Sequence, residues 1–299
     1  MRQRSRLEAI AIMCFASIWF ITMHTCIKAA RETTPVAVVL WSQYAIQFAV
    51  LTVAFAPRVP GFLRAPRLGL QYLRAALLFG CMVGMFTAVG LMPLADIIAI
   101  AFFAPLIITA LSVAMLGERV TPAHWAAVAV AFVGVLVIIR PGMGVFAWAA
   151  TIPLGVAVCV AFYQTLTRVL AGVGAEAMLY NATLLGFVAG SAAVPFFWQV
   201  PGLREALLLA AAGALGLAAH FCLIKAYQWA PASVVAPFSY VELLYATALG
   251  FAVFGDIPDA PTFAGGALVA ASGLWLLHYQ ARRERAARAV AAEAAEAAE

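Results

Sequence analysis

Ten apolar runs, each about long enough to cross a bilayer, follow one another with almost nothing between them. A hydrocarbon core takes about 20 apolar residues per helix. Runs of that kind fall near residues 7–29, 35–56, 70–91, 94–116, 122–140, 148–170, 177–197, 204–229, 232–254 and 260–280. Breaks at Pro35, Pro57 to Pro66, Pro93, Pro122, Pro141, Gly172 to Gly174, Pro201, Pro231 and Pro258 to Pro261 separate them. The runs are continuously apolar rather than alternating, which predicts helices and not barrel strands. Short connections make consecutive helices antiparallel neighbours and leave no room for a soluble domain. Composition agrees: 66% of residues are hydrophobic and only 10% charged, against about 25% charged in soluble domains. A soluble enzyme, a nucleic-acid binder and a disordered scaffold are thereby excluded. The expected class is an all-α integral membrane protein whose main partner is the lipid bilayer.

Lys and Arg set the orientation of such a chain. With the N-terminus inside, one side collects Arg2, Arg4, Arg6, Arg58, Arg64, Arg67, Arg74, Arg119, Arg168, Arg282, Arg283, Arg285 and Arg288. The other side collects Lys28, Arg31, Arg140 and Arg204, and Lys225 falls within a span. The bias predicts a multi-pass inner-membrane protein with both termini cytoplasmic. Arg58, Arg64, Arg67 and Arg74 are read as orientation charges that stay clear of substrate. Reporter tags at either terminus are expected to report cytoplasm, and a tag after Gly142 the outside. A cytoplasmic signal after Gly142 would sink the ten-span topology. The apolar run after Arg6 continues to about Ala30 without a small-residue cleavage pattern, so it reads as a retained first span. The Ala/Glu-rich tail places Arg before Glu, against the helix dipole, and is expected to fray.

The halves resemble each other. Met92-Pro93-Leu94-Ala95 aligns with Ala230-Pro231-Ala232-Ser233, and the same offset carries Gly117-Glu118 onto Gly255-Asp256 and Thr87-Ala88 onto Lys225-Ala226. After a one-residue slip, Pro122 meets Pro261 and Gly134 meets Gly273. Five spans per half place the halves in opposite orientations. The expected domains are a first repeat over 1–140, a second, inverted repeat over 141–281, and a tail over 282–299. Inverted repeats recur in secondary transporters, which bind substrate near midplane at the repeat interface.

On these residues the chain resembles the drug/metabolite transporter superfamily, EamA type. The paired fourth and ninth spans carry the resemblance: Pro93-Leu94-Ala95 through Pro105 to Gly117-Glu118-Arg119, and Lys225-Ala226 through Glu242 to Gly255-Asp256. The second copy departs from the pattern with Asp256 for Glu and Leu243 for Pro. The resemblance implies ten helices around a central cavity and a carrier of small metabolites. Amino acid exporters, including the YddG-like branch, are the nearest expectation.

Ionisable groups inside a bilayer are costly and point to function. Glu242 lies mid-span and is the first candidate for substrate or proton handling; His220, Lys225 and His24 follow, and Asp96 sits near a span end. His220 and Glu242 are almost equidistant from the Ala230-Pro231 turn, which makes them a natural pair, while Lys225 is roughly 9 Å shallower than Glu242 at 1.5 Å per residue. Ser17, His24 and Lys28 share a polar stripe by helical phase. Phe238, Glu242, Tyr245 and Leu249 share a face at helical spacing, which suits an amine beside an apolar group. Phe79, Met82 and Phe86 form a second face; Phe15, Trp19 and Met23 a third. Tyr163 and Gln164 add polarity on the sixth span. Packing or lipid contact is the competing reading of each aromatic stripe. Trp41, Trp198, Trp229 and Tyr279 read as interface anchors. The pairs Gly80/Gly84 and Gly186/Gly190 permit close helix packing within a monomer.

Five cysteines, all in apolar runs and none in a Cys-x-x-Cys pair, argue against disulfides and zinc. No phosphate-binding loop, metalloprotease or nucleophile-elbow motif is present, so neither an enzyme nor a cofactor or metal site is expected. The expected function is secondary transport of small amphipathic metabolites, above all amino acids, by alternating access, with proton coupling left open. Nucleotide-sugar or phosphorylated-metabolite exchange, and a membrane protein without transport activity, are the alternatives.

Overall fold

The computed structural model describes residues 3–101, 103–117, 122–139, 148–235, 238–239, 241–256 and 259–296. Regular structure among them is entirely helical. The helices are α1 (Gln3–Arg31), α2 (Val36–Ala54), the short α3 (Val59–Phe62), α4 (Leu68–Ala88), α5 (Leu94–Ala101), α6 (Ala104–Leu116) and α7 (Pro122–Ile139). After them come α8 (Thr151–Val169), α9 (Ala175–Ala193), α10 (Leu203–Trp229), the short α11 (Ala232–Val235), α12 (Val241–Leu249) and α13 (Ala260–Glu296).

Six of these helical stretches are long and apolar enough to cross a bilayer: Glu8–Arg31, Val36–Ala54, Leu68–Ala88, Thr151–Val169, Ala175–Phe196 and Leu203–Trp229. The expected fourth and ninth spans are not single helices. The fourth splits into α5 and α6. The ninth splits into α11 and α12, and α12 runs on as a π-helix over Gly250–Phe254. Proline explains the start of α6: Pro105 stands in its first turn, where a missing N–H costs nothing. Pro237, which falls between α11 and α12 in the sequence, lies outside the described residues, as do Glu118, Arg119 and the expected domain boundary at 140/141. Gly117 and Gly255 end their helices at φ 66° and φ 70°, left-handed caps that glycine adopts without strain. These are the two glycines that the internal offset equates.

α1 packs most extensively on α10, α4 on α8, α2 on α9 and α7 on α13. One continuous apolar core runs through the middle of the bundle, and a smaller one lies between α9 and the end of α2. Outward faces carry large exposed apolar side chains such as Phe15, Val53, Trp125, Phe196 and Phe263, the faces that lipid covers. Gly84 faces Val156, while Gly186 and Gly190 press against Tyr44 and Trp41, so the second pair and one member of the first serve contacts within the chain. Asn181 ties α9 to its neighbours by donating to Gln71 Oε1 at 2.9 Å and to the carbonyl of Phe62 at 3.1 Å.

Two expectations change. The tail, expected to fray, is a continuation of α13, helical to Glu296, as its alanine-rich composition favours. Arg74, expected to be an orientation charge like Arg58, Arg64 and Arg67, stands apart from them. It lies inside α4 and is buried, unlike the exposed Arg58, Arg64 and Arg67.

Candidate functional site

A cavity of about 100 Å³ opens in the middle of the bundle. α1 contributes Phe20 and His24, α4 contributes Leu78, Cys81, Met82 and Met85, and α8 contributes Val156, Val160, Tyr163 and Gln164. α10 adds His220 and Leu223, and Ser239 and Glu242 close the wall. Ala101 and Ala104 flank the break between α5 and α6 and leave room there. The lining is mostly apolar with a few converging polar groups, the usual make-up of a small-molecule site.

Glu242 stands in the first turn of α12, where a carboxylate meets the positive end of the helix dipole. Its Oε1 accepts a hydrogen bond from Ser17 Oγ at 3.1 Å. Ser17 lies mid-way along α1, so Glu242 is held near the middle of the bundle. The expected His220–Glu242 pairing gives way to different partners: His220 Nδ1 lies 3.4 Å from the Tyr163 hydroxyl, and its ring meets Phe20 edge-on at 4.8 Å. His220 and Glu242 nonetheless line the same cavity. His24 is buried in the wall, neither ring nitrogen finds a hydrogen-bond partner among the described residues, and its ring faces Phe86 edge-on at 6.4 Å.

Six of the sequence-derived candidates therefore meet at the cavity: Glu242, His220, His24, Met82, Tyr163 and Gln164. The other six lie behind or beside it. Phe86 is fully buried behind His24. Phe79 packs on Tyr44 with centroids 5.8 Å apart. Trp19, Phe238 and Tyr245 are half-buried against the core. Phe238 precedes α12, so the face expected to run unbroken from 238 to 249 is interrupted. Lys225 points elsewhere, with Nζ 3.7 Å from Glu176 Oε1 and 5.4 Å from the Phe221 ring centroid. On α1, Phe15 faces outward, and Met23 is buried beside Gln43, whose Nε2 is 3.2 Å from its sulfur.

Polar contacts close the bundle on either side of the cavity. At one end, Lys28 pairs with Asp256, joining α1 to the second residue after the π-helix, and Lys28 lies 4.4 Å over the Phe254 ring. Arg31 beside it donates to the carbonyls of Phe86 at 3.2 Å and Thr34 at 3.0 Å. At the other end, Tyr227 donates to Gln164 Oε1, and Arg168 Nη1 reaches the carbonyls of Tyr227 at 3.2 Å and Gln228 at 3.4 Å. Arg74 belongs to this second layer: its Nε donates to Thr167 Oγ1 at 2.7 Å. Ser17, Arg74 and Thr167 are residues to which the sequence alone assigns no place in the site. The stripe of Ser17, His24 and Lys28 on α1 is the available signal for the first. Among the described residues no group of three or more metal-binding side chains occurs.

The described residues form an all-helical fold with an apolar exterior. A protein of known crystal structure shares it, with a TM-score of 0.71 and 22% identity over 92% of this chain and 98% of that one. Residues 6–140 match the model of the EamA-like transporter family. Along most of its length the chain is similar to the pseudopaline exporter CntI of Pseudomonas aeruginosa: 28% identical over 270 residues, 88% of this chain and 93% of that protein. A shorter stretch of 106 residues is 26% identical to the S-adenosylmethionine uptake transporter of Rickettsia bellii. That match covers 36% of either chain, about a third of the relative's length. Another, of 89 residues, is 33% identical to the riboflavin transporter of Vibrio cholerae and covers 29% of this chain and 30% of that protein. These relatives are small-molecule transporters, and both uptake and export occur among them.

Proposed function

We propose that the protein is a secondary transporter that exports small amphipathic metabolites, with amino acids, aromatic ones included, as the leading substrate class. The central cavity carries this reading: it sets one carboxylate, Glu242, among apolar walls and aromatic rings. An amine lodges at Glu242 while an apolar side chain lies along Phe20, Met82 and Met85. The similarity to an exporter over 88% of this chain supports the direction.

In this reading the chain crosses the inner membrane ten times, as two inverted repeats over 1–140 and 141–281, with both termini in the cytoplasm. The packing supports it. Exchanging the halves turns the α1–α10 contact into the α8–α4 contact and leaves α2–α9 and α7–α13 unchanged. The two broken spans occupy corresponding places, as discontinuous helices do around transporter sites. Alternating access then means opening the Lys28–Asp256 layer and the Gln164–Tyr227 layer in turn. The protein works as a monomer, with the small-molecule substrate and the bilayer as its partners; proton coupling would run through Glu242.

Counterflow in liposomes tests the function. Labelled phenylalanine is expected to accumulate when the vesicles are preloaded with unlabelled aromatic amino acids. No counterflow across a panel of amino acids, riboflavin and S-adenosylmethionine would refute the transport reading. Counterflow of riboflavin or S-adenosylmethionine alone would move the substrate class.

A further inference from the structure

Arg74 is a buried cation, and among the described residues no acid pairs with it. Its side chain is 1% exposed, covered by neighbouring helices rather than extended to a surface. Nε is satisfied by Thr167. The guanidinium carbon lies 4.7 Å over the ring of Tyr163, and Nη2 is buried without a hydrogen-bond partner among the described residues. The titratable groups around it are Tyr163, Tyr44 and His220, none of them a carboxylate. Burying a lone charge is unfavourable unless a partner arrives during function. Tyr163 touches both Arg74 and the cavity: its ring covers the guanidinium and its hydroxyl meets His220 in the cavity wall.

We propose that Arg74 is the anion-binding residue of the transport cavity, taking the carboxylate of the substrate when Tyr163 swings aside. A guanidinium presents paired N–H donors that match a carboxylate, and Nη2 is the donor left open. Glu242 and Arg74 then form two poles, the first for the amine and the second for the carboxylate, with Tyr163 as the cover between cavity and cation. This rests on the amino acid reading above and narrows it to substrates with a free carboxylate.

Binding to purified full-length protein in detergent tests it, with three probes: phenylalanine, phenylalanine methyl ester and N-acetylphenylalanine. The ester keeps the amine and lacks the anion; the acetyl compound does the reverse. Wild type is expected to bind phenylalanine about tenfold or more tighter than the ester. Arg74→Gln is expected to lose that preference, binding phenylalanine and N-acetylphenylalanine about tenfold more weakly with ester binding unchanged. Arg74→Lys should keep part of it, as a point charge without the fork. An Arg74→Gln protein that binds all three probes as wild type does, or weakens all three equally, overturns the assignment. If that variant fails to fold, the wild-type comparison decides alone: equal affinity for phenylalanine and its ester overturns the anion site while leaving the transport reading intact. Wild type that binds none of the three overturns the amino acid reading and the anion site with it.

Discussion

Glu242→Gln is expected to reach the membrane and fold like wild type, yet to transport zwitterionic and cationic substrates at least about tenfold more slowly. A charged side chain at mid-bilayer costs about 2.5–3.5 kcal/mol on insertion scales. The chain offsets part of that with a hydrogen bond from Ser17 Oγ at 3.1 Å and with the first turn of α12. Glutamine keeps the size and still accepts from Ser17, so the wall of the cavity is unchanged. What it loses is the charge that faces an incoming amine. The comparison variant is Ser17→Ala, which removes the hydrogen bond and leaves the charge; its transport should fall far less. Counterflow in liposomes, normalised to protein inserted, reads both. Wild-type rate and affinity in Glu242→Gln would show that the apolar walls alone recognise substrate.

Gly134→Leu is expected to destabilise the fold strongly. A Cβ at that position would lie 2.7 Å from the carbonyl oxygen of Gly265, 2.9 Å from Val269 Cγ2 and 3.2 Å from Leu268 Cβ. The first of these is backbone of α13 and has no rotamer to yield. Overpacking of this kind costs about 1–3 kcal/mol, and the larger leucine forces α7 and α13 apart rather than rearranging one side chain. Gly80 is the control, because a Cβ there meets nothing within 4 Å. Gly80→Ala should be neutral or stabilising, since alanine is favoured over glycine in a helix by about 1 kcal/mol. Thermal unfolding in detergent, followed by tryptophan fluorescence, is expected to place Gly134→Leu several degrees below wild type and Gly80→Ala at or above it. Equal melting temperatures for the two would refute the close crossing of α7 and α13.

Where hydropathy alone decides, the sequence is legible. The positions of α1, α2, α4, α8, α9 and α10 follow from uninterrupted apolar length, and their ends differ from expectation by a few residues. The broken spans are less legible, because an apolar count reads through a break that does not change polarity; residues 101–104 and 236–240 are as apolar as what flanks them. At the cavity, depth arguments bring His220 and Glu242 to one level, but depth does not give azimuth, and each has another partner. Lys225 shows the same limit from the other side: its depth suits a cavity, while its direction along α10 takes it to Glu176. Arg74 escapes sequence reading for a different reason. A charge one or two turns inside a span looks like the end of that span, and only the packing of α8 over it reveals burial. Ser17, by contrast, is visible in the polar stripe on α1, a pattern that points to a shared neighbour without naming α12.

The α7–α13 pair has a mechanical consequence. These two helices rest mainly on each other and join the bundle largely through α5 and α6, the broken span that borders the cavity. In the ten-span reading proposed above, their outer faces, with Trp125 55%, Phe132 47%, Phe263 70% and Leu274 61% exposed, lie in lipid. On that reading, a movement of α5 and α6 during transport would drag a two-helix paddle through the acyl chains. Viscosity then enters the transport rate directly, and acyl-chain length adds an elastic load of a fraction of a kcal/mol per ångström of mismatch. Turnover in vesicles of graded chain length and fluidity is expected to vary at constant substrate affinity, with the bilayer acting as the brake on the cycle as well as its container.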